Sequence, residues 1–124
     1  MNLEKPENIN QRAFNFAVRV INLCRSIPKD EINRILINQV VRSATSIGAN
    51  LEEATGAHTK SEFINCTNIS RREARETYYW LKIIFEINSQ AIKNRMSEIL
   101  QESNEIISIL TTSVKRLQEN LKKK

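Results

Sequence analysis

Punctuation is scarce in this chain: its 124 residues include two glycines, two prolines and a single histidine. That scarcity excludes the turn-rich texture of a sandwich or barrel and favours long, unbroken helices. His58 stands in a turn with no second histidine and no cysteine cluster to complete a metal site. Cys24 and Cys66 are far apart, form no CxxC pair, and fall on apolar helical positions where a thiol acts as a small hydrophobe. No apolar run approaches the roughly 18 residues of a membrane span, and MNLEKPENINQRAFNF has no signal-peptide pattern. The cytoplasm is therefore the expected compartment. No glycine-rich loop or GK[ST] motif is present to hold a nucleotide. Ser43, Ser46 and Ser70 lack a histidine base. Glu52, Glu53, Glu62, Glu73 and Glu76 lack the Glu-x-x-His pairs of a bundle di-metal centre. No catalytic residue, metal or cofactor is expected, and the chain does not read as an enzyme.

Hydrophobic residues make up 40% and charged residues 27% of the chain, a globular balance rather than a disordered one. The length suits one domain over residues 1–124. The formal charge of +5 permits a nucleic-acid or acidic-protein partner without requiring one.

Four helices are predicted, at about 7–27, 31–56, 60–88 and 91–121. Pro6 and Glu7 suit a first helical turn. In the first helix Ile9, Ala13, Phe16, Val20, Cys24 and Ile27 form one apolar strip, and Phe14, Val18 and Ile21 a second beside it. Pro28 ends that helix. In the second, Ile32, Leu36, Ile47 and Ala54 share a face whose centre is Gln39, Ser43, Ser46 and Asn50, while Ile37, Val41, Ala44 and Gly48 make another strip. Gly56 is a helix stop, or else the site of a kink, and Thr59 with Glu62 is a capping-box pattern. The third helix has an apolar arc of Phe63, Cys66, Ser70, Ala74, Leu81 and Ile84, with Glu73 inside it. A turn follows at Asn88–Gln90, and the fourth helix carries one stripe from Ile92 through Met96 and Ile99 to Leu121.

These elements predict an all-α, antiparallel, up-down-up-down four-helix bundle. Gln39, Ser43, Ser46, Asn50 and Glu73 are expected to form a mutually hydrogen-bonded polar core, because such groups are costly inside unless paired. Arg42 and Glu53 stand at its rim. The second apolar strips would face either an edge helix or another subunit.

The outer side of the third helix groups Lys60, Arg71, Arg75 and Lys82, the most coherent basic stripe in the chain. It is a candidate contact for nucleic-acid phosphates; equally, the run REARE can form ion pairs within or between subunits. Of the neighbouring aromatics, Trp80 points to the apolar arc, Tyr79 outward and Tyr78 to the basic flank, so the three cannot act as one stacking surface.

The segment RSATSIGANLEEATGAHTKSEFINCTNISRREARETYYWLKII resembles the 23S ribosomal RNA intervening-sequence family of small bacterial four-helix-bundle proteins. Gln39, Arg42, Ser43, Ser46, Ile47, Asn50, Glu53, Ala54, Phe63, Glu73, Glu76, Trp80 and Leu81 carry the likeness. It implies a ring-like homopentamer, which would give the second apolar strips a place to go. It also relates the chain to accessory proteins of diversity-generating retroelements, which bind reverse transcriptase and nucleic acid through a basic surface. The expected function is a non-enzymatic homo-oligomeric scaffold that binds RNA or a nucleoprotein; the alternative is an assembly module that binds protein only.

Overall fold

The computed structural model describes residues 8–123, which are helical apart from short connections. Four long helices, α1 (Ile9–Ser26), α2 (Glu31–Thr55), α3 (Lys60–Ile87) and α5 (Ser97–Lys122), enclose the core, and a short α4 (Gln90–Asn94) precedes the last. The predicted turn at Pro6 and Glu7 lies outside the described residues.

Each long helix except α5 starts where a polar side chain can satisfy a free main-chain N–H. Asn8 accepts from Gln11 N at 2.8 Å, Asp30 from Asn33 N at 2.8 Å and Thr59 from Glu62 N at 3.0 Å. Glu62 reaches back as the capping-box pattern predicts, though to His58 N at 3.1 Å rather than to the cap residue itself. At the other end of α1, Ile27 turns extended before Pro28. The Lys29 ammonium then donates to the carbonyls of Cys24 at 2.7 Å and Ile27 at 2.6 Å, covering acceptors that the helix leaves open. Gly56 ends α2 with φ −91°, so the stop uses no left-handed glycine; its N–H bonds back to Glu53 O at 3.1 Å.

The fourth predicted helix, 91–121, is two helices. Arg95 N and Met96 N bond to the carbonyls three residues back, Ile92 and Lys93, both at 3.0 Å. The chain tightens by part of a turn between α4 and α5. Ile92, Met96 and Ile99 all stay buried across the break, which is why the apolar stripe runs through it.

Cross-helix pairs fix the direction of each element. Asn10 near the start of α1 donates to Glu52 near the end of α2 at 3.2 Å, and Asn33 near the start of α2 to Asn88 after α3 at 3.1 Å. On the remaining side Arg12 pairs with Glu105 at 2.7 Å and Arg19 with Glu102. Neighbours are therefore antiparallel, with α5 closing the bundle against α1 and α3. The α1–α5 seam is polar, and Arg12 with Gln101 holds the Glu105 carboxyl below its ordinary pKa. Phe16, Val20, Ile47, Leu81, Ile84, Met96, Ile106 and Leu110 fill the core.

The interior between α2 and α3 differs from the predicted polar core. Only Ser43 of the five expected residues is buried; Gln39, Ser46, Asn50 and Glu73 are half-buried at the edge. Ile32, expected inside, is 59% exposed. Val40, Ala44 and Leu51 turn the buried arc of α2 toward α1, and that rotation carries the amide stripe to the α3 edge. Asn50 and Ser46 satisfy themselves on their own helix, donating to Ser46 O and Arg42 O at 2.9 and 2.8 Å. The inner polar contacts come from hydroxyls instead. Thr77 Oγ1 lies 2.8 Å from both Ser43 Oγ and Glu73 O, and Ser70 Oγ donates across the interface to Ile47 O at 2.7 Å. Small side chains at Ser43, Ser70 and Ala74 let the two backbones come close enough for that bond.

Candidate functional site

Three surfaces around α2 and α3 present side chains that the fold leaves uncovered. The first is the groove between α1 and α2. Phe14, with 62% of its surface exposed, and Val18 and Ile21 form one wall; Thr45, Gly48 and Ala49 form the other, around a cavity of about 360 Å³. A Cβ at Gly48 would stand 3.6 Å from the Cβ of Ala13, so the small residues on α2 keep the helices near each other and the groove shallow.

The second is the α2–α3 flank. Helical phase and the antiparallel register put Ile32 and Ile35 on the same side as Trp80, Ile83 and Ile87. Ile35 is 56% exposed, and Ile32 and Ile87 are as open. Next to them lies an ordered polar cluster. Arg42 donates to Gln39 at 3.3 Å and Glu73 at 3.4 Å, and pairs with Glu76. Glu76 also accepts the Trp80 indole N–H at 2.9 Å, which fixes the ring, and Tyr79 meets that ring edge-on at 5.2 Å. Arg42 is thus the rim partner expected from sequence. Glu53, also expected there, is exposed.

The third is the outer face of α3. Lys60 opens the helix, and Arg75 and Lys82 are exposed. Arg71 is half-buried and its Nε donates to Asn68 Oδ1 at 2.8 Å, while the Lys82 ammonium lies 4.9 Å from the centre of the Tyr78 ring. The four predicted cations therefore share one edge of α3, but Arg71 and Lys82 are already held by neighbours. Arg72, absent from the predicted stripe, is exposed beside Arg75. The run of arginines in SRREARE held that signal; the buried arc centred on Ser70, Ala74 and Leu81 places Arg72 opposite the core. Tyr79 is exposed and Trp80 half-buried, as their phases require.

Among the described residues no group of three or more His, Cys, Asp or Glu could hold a metal ion, and no helix is long and apolar enough to cross a membrane. His58 lies exposed between α2 and α3.

Comparison with known proteins gives the same architecture. The family model of the 23S rRNA-intervening sequence protein matches residues 6–112. A crystal structure of a protein with unknown function from the S23 ribosomal protein family of Bacteroides thetaiotaomicron VPI-5482 is 34% identical to this chain. The match covers 87% of this chain and 99% of that one, with a TM-score of 0.76. No curated protein matches significantly.

Proposed function

The chain belongs to the 23S rRNA-intervening sequence protein family, and from that premise we propose that it is a non-enzymatic cytoplasmic scaffold that assembles as a homopentamer and binds RNA or a nucleoprotein through α3. The observation that carries the assembly is the pair of unlike apolar patches on the two flanks of α2, the Phe14 groove and the Ile35 patch. A two-fold dimer would cover one patch with its own copy and leave the other in water. Docking the Ile35 patch of one subunit into the Phe14 groove of the next uses both, and such head-to-tail contacts form a ring when the rotation between neighbours closes. Five is the number implied by the family likeness. Phosphate contact falls to Arg72, Arg75 and Lys82 on the outer face of α3, with Lys60, Arg71 and the α5 terminus flanking it.

Light scattering coupled to size exclusion tests the assembly. Phe14→Glu and Ile35→Glu should each give monomers, because each destroys one side of the same contact. Mixed together they should form a dimer, since one partner retains an intact groove and the other an intact patch. Failure of the mixture to associate would overturn the head-to-tail contact. For RNA, the triple variant Arg72→Ala, Arg75→Ala, Lys82→Ala should keep the oligomer and lose RNA retention. Retention in the parent should fall steeply between about 50 and 200 mM salt. An oligomer that never retains RNA would favour the second reading, a protein-only assembly module; the existing tethers of Arg71 and Lys82 to Asn68 and Tyr78 suit that reading.

A further inference from the structure

Where α3 begins and α5 ends, three cavities lie side by side, each sharing lining residues with the next. The innermost, about 370 Å³, reaches between Leu51, Leu110 and Leu117 toward the core; the next, about 180 Å³, shares Phe63 and Leu117 with it. The outermost, about 360 Å³, continues past Ile64 and Leu121, which also line the middle one. They form one trough with an apolar floor, along which Phe63 is 39% and Leu121 43% exposed.

The charge at its edge has one sign. Lys60, Arg116 and Lys122 line the trough, and none of the described lining residues is acidic. The α1–α2 groove is the reverse, with Glu52 at its edge and no cation in its lining.

We infer that this trough docks an acidic amphipathic helix of a partner protein. A helix laid in a groove offers apolar anchors at i, i+3, i+4 and i+7, which suits a floor of Leu117, Phe63 and Leu121. Carboxylates flanking that stripe meet Arg116 and Lys122. A nucleic-acid strand gains from the cations but leaves the apolar floor unused. The trough shares no residue with the Phe14 groove apart from Asn10, and none with the Ile35 patch, so this docking stands whether or not the subunits form a ring.

Fluorescence anisotropy on the full chain with two labelled synthetic peptides tests it. Both carry leucine at i, i+3, i+4 and i+7; one has glutamate and the other lysine at the flanking positions. The acidic peptide should bind at least about tenfold more tightly than the basic one, a difference of roughly 1.4 kcal/mol. Arg116→Glu with Lys122→Glu should abolish that preference, and Leu121→Ser should weaken the acidic peptide while leaving the helical circular dichroism unchanged. Equal binding of the two peptides, no binding of either, or binding indifferent to these substitutions would overturn the inference. So would retention by vesicles of phosphatidylglycerol that the acidic peptide does not displace.

Discussion

The carboxamides of Asn33 and Asn88 face one another head to head, each donating to the other's oxygen, at 3.1 and 3.2 Å. Asn33 also donates to Pro28 O at 3.0 Å and Asn88 to Ile84 O at 2.9 Å. One small network therefore ties the α1–α2 link to the end of α3, and it does so with Asn33 buried. Asn33→Ala should lower stability by about 0.5–1.5 kcal/mol, because it removes the hydrogen bonds that the buried Asn33 side chain makes to Asn88 and Pro28. The double variant with Asn88→Ala should cost less than the sum of the singles, as groups in contact are not additive. Urea unfolding of the four proteins measures this, and strict additivity would mean the pair does not act together.

Asn50 makes the contrasting case. Its amide bonds only within α2, to Ser46 O, and it sits half-buried. Asn50→Ala should therefore change stability by no more than about 0.5 kcal/mol, as expected of sites outside a buried network. A loss comparable with that of Asn33→Ala would put Asn50 back in an internal polar ladder.

What could be read in the sequence follows from which signals carry direction. Spacing of Phe16, Val20 and Ile106 with their neighbours gives helices and an inner side, and Thr59 with Glu62 marks a start by chemistry that acts within a turn. The break at Arg95 and Met96 was invisible because Ile92, Met96 and Ile99 keep their phase through it. The centre of the buried arc on α2 is hidden for a related reason: Ile32 is apolar, yet it lies on the α2–α3 flank, off the arc of Asn33, Leu36 and Val40 that is buried. Wheel position reports direction from the axis and nothing about whether a neighbour is there. The Asn33–Asn88 pair joins residues 55 apart in sequence, and no local pattern announces such a meeting.

Cys24 offers a pH test. Burial pushes its thiol up to about 11 from 9.0, against a smaller opposing effect of the Lys29 ammonium. The folded state holds the proton more tightly than the unfolded state. Its contribution to stability is therefore complete below about pH 9 and is lost as the pH rises toward 11. Near pH 10.5 the loss should approach about 2 kcal/mol. Other groups titrate in that range, so the readout is the difference between the parent and Cys24→Ala across pH 8 to about 10.5. An identical pH dependence in both would show that the buried thiol does not contribute.

Ser103 is buried in α5, and its hydroxyl has no hydrogen-bond partner among the described residues. Nothing is gained there from the oxygen, and serine is also the weaker helix former. Ser103→Ala should stabilise the fold by about 1 kcal/mol, combining about 0.5 from helix preference with relief of an unpaired polar group. A lower melting temperature in the variant would mean that the hydroxyl is satisfied in solution.

Gly48 separates the stability of the single chain from that of the proposed assembly. It lies in the interior of α2, where glycine costs roughly 0.5–1 kcal/mol relative to alanine. The Cβ that alanine would add meets Ala13 Cβ at 3.6 Å and Phe14 N at 3.8 Å, both ordinary contacts. Gly48→Ala should therefore raise the stability of the isolated subunit by about that amount, measured in the Phe14→Glu background so that subunit concentration does not enter the result. In the parent background the same methyl fills part of the groove floor. If the Ile35 patch of a second copy docks there, the gain should shrink or reverse, because the added carbon must be accommodated by the incoming side chains. An equal gain in both backgrounds would mean that the docked side chains do not reach the groove floor at Gly48.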